Sequence, residues 1–327
     1  MSSDLPLPPL VSVVIPSYNY ASYLDKRIES ILNQTYQNLE IIVIDDCSTD
    51  NSVEVLQKYA PHPRVTLVVR EQNGGWISAN NQGVELAKGE YVLFAQCDDV
   101  CDLTMIGRLV ESMQSHPSAG IAFCRSLLVD EEGNSLGEDY DDLEPAFKET
   151  CKSDALITQH QMAMFLFNAC VIPNLSAALI RKECFQDVGN FSHDYQVCSD
   201  WDWYFRIVKQ YDVTYVASSL NHFMQHEATI RSSTKSRIIF EEYLRLLLSN
   251  LKITDMSFSE RCRVRVRAME LWSTHLLALS WAGIVNFPYH FSRVVALDAT
   301  ALIFFPQAIL FRVLSLLRKV LRKVLGI

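Results

Sequence analysis

No GxGxxG run occurs in the 327 residues, and the nearest candidate, Asn73-Gly74-Gly75, has the wrong spacing for a dinucleotide-binding turn. The first apolar run leads into Pro16-Ser17-Tyr18-Asn19-Tyr20, which supplies neither the glycine-rich loop nor the cations that a nucleotidyltransferase needs for its phosphates. CxxC pairs are absent too. The nine cysteines, at 47, 97, 101, 124, 151, 170, 184, 198 and 262, are scattered and odd in number, which reads as free thiols in a reducing compartment rather than disulfides or a zinc site. There is no basic excess. With 29 Lys and Arg against 38 Asp and Glu, the net charge of −9 argues against a nucleic-acid partner. The opening MSSDLPLPPL has no basic stretch and no long apolar run, so no secretory signal is expected, and the expected location is cytoplasmic.

What is present fits a globular protein. Hydrophobic residues make up 49% and charged residues 20%, too apolar for a disordered chain. At about 100–200 residues per domain the length implies two units. The first half alternates strand and helix signals. Leu10–Pro16, Leu39–Ile44, Val65–Val69 and Glu90–Ala95 are short, nearly continuous apolar runs. Tyr23–Thr35, Ser48–Tyr59 and Ile77–Ala87 carry apolar residues at helical spacing. Such alternation predicts a mainly parallel sheet covered on both faces. Ligands of open α/β sheets bind at the carboxyl ends of the strands, and Ser17-Tyr18-Asn19, Asp45-Asp46 and Asp98-Asp99 all fall there.

The later chain is less regular. Val129–Pro145 holds eight acids and no base, which reads as a solvated loop. Ser176–Arg181 and Val213–Ala217 read as strands, and from Ser236 onward the pattern is helical. Val294–Phe311 is marginal for a membrane span, which needs roughly 20 apolar residues, and it contains Asp298 and Pro306. After Asp298 the chain carries five basic residues and no acid. Phe311–Ile327 places its polar residues on one helical face, predicting a basic amphipathic helix that lies on an anionic membrane surface.

Taken alone, Asp98-Asp99 is a candidate site for Mg²⁺ or Mn²⁺, which favour hard oxygen ligands and substrate phosphates. Asp46 can accept from a base or sugar, while Asp45 or Ser48 can cap the next helix. The run VSVVIPSYNYASYLDKRIESILNQTYQNLEIIVIDDCSTDNS, the block NGGWISANNQGVELAKGEYVLFAQCDD and the later RKECFQDVGNFSHDYQVCSDWDWYFRI together resemble family 2 glycosyltransferases of the GT-A fold. The resemblance spans about residues 10–231. It implies a Rossmann-like α/β domain over 1–235, with a nucleotide-binding half at about 10–100 and an acceptor half at about 101–235. A helical region, 236–327, would follow and end in the membrane-associating tail.

Roles follow from the same resemblance. Pro16, Tyr18, Asp46, Asn80 and Asp98 would bind the nucleotide and donor, with Tyr18 against the base. Asp99 and His226 would hold Mn²⁺ or Mg²⁺. Asp200 would be the catalytic base, with Asp202 in reserve. Three departures stand out. Ala79-Asn80-Asn81 replaces an Ala-Arg-Asn triplet, Ser199-Asp200 replaces Glu-Asp, and Cys97-Asp98-Asp99 replaces a spaced DxD. The implied reaction moves a sugar from a UDP- or dTDP-linked donor to a saccharide or polyprenyl-linked hydroxyl, with inversion, in cell-surface glycan synthesis. An aspartate of ordinary pKa, about 3.9, is ionised for this task at neutral pH. The expected location is the inner face of the cell membrane. The rival reading is a non-catalytic membrane adaptor built on a degenerate transferase domain.

Overall fold

The computed structural model describes residues 8–139, 145–172, 174–226, 236–251, 255–278, 291–306, 308 and 309. The chain forms two compact units: Met1–Asp194 with Ser199–Glu227, and Tyr195–Cys198 with Ala228–Ile327. The boundary expected at 235 lies outside the described residues.

The first unit is built on a ten-stranded mixed sheet. Strands β1 (Val11–Ser17), β2 (Leu39–Asp45), β3 (Val65–Val69) and β4 (Tyr91–Phe94) run parallel in the order β3-β2-β1-β4. Helices α1 (Ala21–Leu32), α2 (Ser52–Gln57) and α3 (Gly75–Leu86) alternate with them. Beyond β4 the sheet continues through later strands: β5 (Val100–Cys101), β6 (Ala119–Val129), β7 (Ser135–Glu138), β8 (Ala155–Ile157), β9 (Ala178–Arg181) and β10 (Asp212–Met224). Their order from β4 is β9-β6-β10-β5, with β7 on β6 and β8 on β10. β9 is antiparallel to β4 and β6, while β6 and β10 run parallel. The longest ladders are therefore parallel, as the alternation predicts.

Every residue of β1 is buried, which explains why its apolar residues do not alternate with polar ones. Leu24, Ile28 and Ile31 bring the inner face of α1 onto this core. α3 approaches β1 unusually closely. A Cβ on Gly83 would lie 2.2 Å from Val14 Cγ1, so only glycine fits. The chain moves outward from β1 to β3 and then returns to β4 on the other side of β1. The carboxyl ends of β1 and β4 thus flank a topological switch point, where open α/β sheets bind ligands.

Helices α4 (Met105–Ser115), α5 (Pro145–Thr150), α6 (Gln159–Asn168), α7 (Glu183–Val188) and α8 (Ser199–Ile207) complete the first unit. The acidic stretch 129–145 is only partly a solvated loop. β7 pairs with β6, and Asp139 is buried, accepting from Ser126 N at 2.8 Å. In the second unit, α9 (Ser236–Asn250) and α10 (Phe258–Ala278) are the main helices. Asp298 accepts from Arg265 Nε at 2.7 Å and begins a 3₁₀ turn over Ala299–Phe304. Among the described residues no helix is long and apolar enough to cross a membrane. The expected tail helix, 311–327, lies outside the described residues.

Candidate active site

The loops after β1 and β2 are laced together. Pro16 is buried in β1, and its carbonyl accepts from Cys97 Sγ at 3.0 Å. Tyr18, just past the strand, is 43% exposed, so its ring is available for contact. Asn19 takes a left-handed φ of 59°, a conformation that asparagine tolerates. Its Oδ1 accepts from Thr49 N at 2.7 Å, while its own N–H donates to Ser48 Oγ at 2.9 Å. Asp45 accepts from Ser48 N and Ser48 Oγ at 2.9 and 2.6 Å, and Asp50 accepts from Ala21 N at 3.1 Å. Asp45, Asn19 and Asp50 thereby shape this end of the sheet.

Asp46 is 2% exposed and fully engaged. Oδ1 accepts from Arg70 Nη1 at 2.7 Å and from Gly74 N at 3.0 Å, and Oδ2 accepts from Gly75 N at 2.7 Å. Gly75 has φ +80°, a value that favours glycine. The side chain expected to meet the base therefore clamps the Asn73-Gly74-Gly75 turn and holds a guanidinium. The cation beside this turn is Arg70, paired with Asp46. Asn80 is fully buried on α3, and among the described residues its amide has no hydrogen-bond partner. Asn81 bridges to the loop after α7: its Nδ2 donates to Phe191 O and its Oδ1 accepts from Phe191 N, both at 3.0 Å.

The two carboxylates after β4 face different surroundings. Asp98 Oδ2 lies 2.9 Å from His226 Nε2, beyond the end of β10. Tyr23 stacks on that imidazole at 5.8 Å, and Tyr20 meets it edge-on at 6.2 Å. Asp99 is 1% exposed. Its Oδ2 accepts from Asn174 Nδ2 at 2.7 Å and its Oδ1 from Met224 N at 3.1 Å. Burial, and then the charge of Asp98, push the Asp99 carboxyl up to about 6. Asp99, expected as a metal ligand, thus ties β4 to β10 from inside, and Asp98 is the carboxylate brought against His226.

The chemistry of that donor pair suits a divalent cation. The oxygen and nitrogen here stand 2.9 Å apart, at hydrogen-bond distance from one another. Among the described residues no group of three or more His, Cys, Asp or Glu could hold a metal ion, so substrate phosphates and water would supply the remaining ligands.

Asp200 sits in the first turn of α8, where its Oδ1 accepts from Trp201 N at 2.7 Å. Tyr204 is buried one turn later. Burial, and then the Asp200 charge, raise its phenol well above the usual range. Asp202 is committed elsewhere. It accepts from Arg206 Nε at 3.0 Å, and Arg206 also donates to the carbonyls of Val188, Gly189 and Asn190. The reserve candidate thus orients the arginine that holds the preceding loop.

Residues 12–170 match the profile described as Glycosyl transferase family 2. Over these residues the chain is a family 2 glycosyltransferase domain. It is 36% identical over 185 residues to glycosyltransferase GlyG of Streptococcus pneumoniae, covering 55% of this chain and 59% of that protein. It is 30% identical over 207 residues to a chondroitin synthase of Escherichia coli, covering 60% of this chain but 29% of that protein. The chain therefore spans under two thirds of the length of these relatives. The structure of S. aureus TarS 1-349 in complex with UDP-GlcNAc matches with a TM-score of 0.69 at 16% identity, over 90% of this chain and 83% of that one. At that identity the likeness establishes the GT-A fold.

In this glycosyltransferase domain, sequence reasoning missed Arg70, Asn81 and Asn174. Each acts on a partner 24 to 110 residues away in the chain, as Arg70 does on Asp46, Asn174 on Asp99 and Asn81 on Phe191. The Gly74-Gly75 pair was the one local signal that a clamped turn lay nearby.

Proposed function

We propose that the domain transfers a sugar from a UDP- or dTDP-linked donor to a hydroxyl of a saccharide or polyprenyl-linked acceptor, inverting the anomeric centre, in glycan synthesis. The observation that carries the proposal is the Asp98–His226 pair, 2.9 Å apart at the carboxyl ends of β4 and β10, beside the switch point. Tyr18 lies against the base. Pro16 and Asn80 belong to the floor of the pocket, and Asp46 shapes it by fixing Arg70 and the Gly74-Gly75 turn. Asp98 and His226 would hold Mn²⁺ or Mg²⁺, with Asp99 tied behind them to Asn174 Nδ2 and Met224 N. A cation bound there neutralises charge on the leaving diphosphate. Asp200 accepts the proton of the acceptor hydroxyl as that oxygen bonds to the anomeric carbon and the bond to the diphosphate oxygen breaks. Orienting the two substrates in line contributes more than base strength.

Calorimetric titration with UDP, GDP, dTDP and CDP, each with and without Mn²⁺, tests this reading. Metal-dependent binding of UDP or dTDP supports it. Absence of binding by all four would favour the adaptor. On the acceptor side, Asp200→Asn is expected to lower turnover by about 10²–10⁴-fold with nucleotide affinity unchanged. The same loss in Asp202→Asn instead would move the base by two positions.

A further inference from the structure

Asp46 has no acceptor capacity left for a ligand. An ionised carboxylate offers about four lone-pair sites. Oδ1 takes Arg70 Nη1 and Gly74 N, while Oδ2 takes Gly75 N at 2.7 Å and Gly74 N at 3.2 Å. Arg70 is in the opposite condition. Among the described residues its guanidinium donates only to Asp46, and the side chain is 24% exposed. A guanidinium has five N–H donors and no acceptor, so donors remain for a ligand.

The seat is built for this group. Arg70 N donates to Asp45 O at 2.9 Å, which fixes the main chain at the carboxyl ends of β2 and β3. Gly74 leaves the room. A Cβ there would stand 2.6 Å from Arg70 Nη2, 2.9 Å from Nη1 and 3.1 Å from Cζ. The φ of Gly74 is −113°, which any residue adopts, so the guanidinium and not the backbone explains this glycine.

Position in the sheet selects the part of a nucleotide that Arg70 meets. The order β3-β2-β1-β4 puts it three strands from β4, the strand that leads to Asp98. At about 4.8 Å per strand that is roughly 14 Å. With the diphosphate at Asp98 and His226, and Tyr18 after β1 in between, the far end of the ligand is the base.

We infer that Arg70 is a specificity-determining residue: it donates to a ring carbonyl of the base and so selects keto bases over amino bases. The inference rests on the reading of this site as one for a nucleotide-diphosphate donor. Uracil and thymine carry an acceptor oxygen where cytosine carries an NH₂ donor. A donor-only guanidinium meets the first and opposes the second. Asp46, already filled, offers the NH₂ no acceptor.

Calorimetry of the full chain with UDP, CDP and GDP, each with Mn²⁺, tests this. The unaltered protein is expected to bind UDP about 10- to 100-fold more tightly than CDP, the worth of one hydrogen bond to a charged group. Arg70→Met should weaken UDP by that factor without weakening CDP, so the preference disappears. Gly74→Ala keeps the arginine but displaces its guanidinium, and should lose the preference as well. Equal affinity of the unaltered protein for UDP and CDP overturns the inference, whether or not the variants fold. So does a preference that survives in both variants, or a parallel loss of both nucleotides, which is the mark of a merely structural clamp; in each case UDP binding keeps the donor reading. GDP binding that replaces UDP binding, and that Arg70→Met weakens, keeps the selection of a keto base and overturns the UDP or dTDP donor. Absence of binding by all three overturns the donor reading and the inference with it.

Discussion

Asp98 and Asp99 are neighbours in the chain with different partners, and the roles proposed for them can be told apart by measurement. Asp99→Ala strips two buried donors, Asn174 Nδ2 and Met224 N, of their acceptor. Each orphaned group costs about 1–3 kcal/mol, so a loss of roughly 2–5 kcal/mol is expected in denaturant unfolding. Asp98→Ala leaves the buried imidazole of His226 without this one partner, so it should cost about 1–3 kcal/mol and abolish Mn²⁺-dependent UDP binding. Stable Asp99→Ala protein that has lost metal-dependent binding would restore the order of roles expected from sequence. That a carboxylate pair ends β4 was legible from EYVLFAQCDD. Which of the two faces inward was not, because their partners lie 75 and 125 residues away for Asp99 and 128 for Asp98. Asp46 shows the same limit: its position at a strand end is local information, and its engagement by Arg70 is not.

Among the elements, β1, β2 and β4 could be read because a strand buried on both faces is a continuous apolar run bounded by turn residues, whereas β3, half-buried to exposed, was legible from its β-branched residues. β10 could not. It extends to 13 residues where a five-residue strand was expected, and its polar Ser218, Ser219, Asn221 and His222 resemble a loop. Register shifts around Ser219 absorb the irregularity, and pairing with β6 and β5 satisfies the main chain. The signal for α4 was present, with buried residues at 105, 106, 109, 110 and 113 in helical spacing. The α3–β1 contact makes its own prediction. Gly83→Ala drives a methyl to within 2.2 Å of Val14 Cγ1 and should destabilise by about 1–3 kcal/mol. Combining it with Val14→Ala should cost less than the sum of the two single changes, measured by denaturant unfolding.

At the scale of the molecule, charge is unevenly placed: the chain carries −9 overall, yet five basic residues and no acid follow Asp298. Deleting 311–327 should release the protein from anionic vesicles in a flotation assay and leave Mn²⁺-dependent UDP binding intact. Vesicle binding that survives the deletion would place the membrane contact elsewhere. In the sequence, the change from alternating to purely helical pattern near 236 is the signal for a second unit. The membership of 195–198 in the second unit was not legible there, since it depends on a carboxylate 44 to 46 residues downstream. The Asp98–His226 contact, finally, bears on synthesis of the chain. The profile match ends at 170, but the imidazole that completes the pair arrives only with the strand ending at Met224. A nascent chain that has emerged only through β9 has its nucleotide loops and its carboxylate, but no imidazole beside it. Contacts of such long sequence separation form late in folding. In the order of synthesis, the Asp98–His226 pair can therefore assemble only after the last long strand has been made.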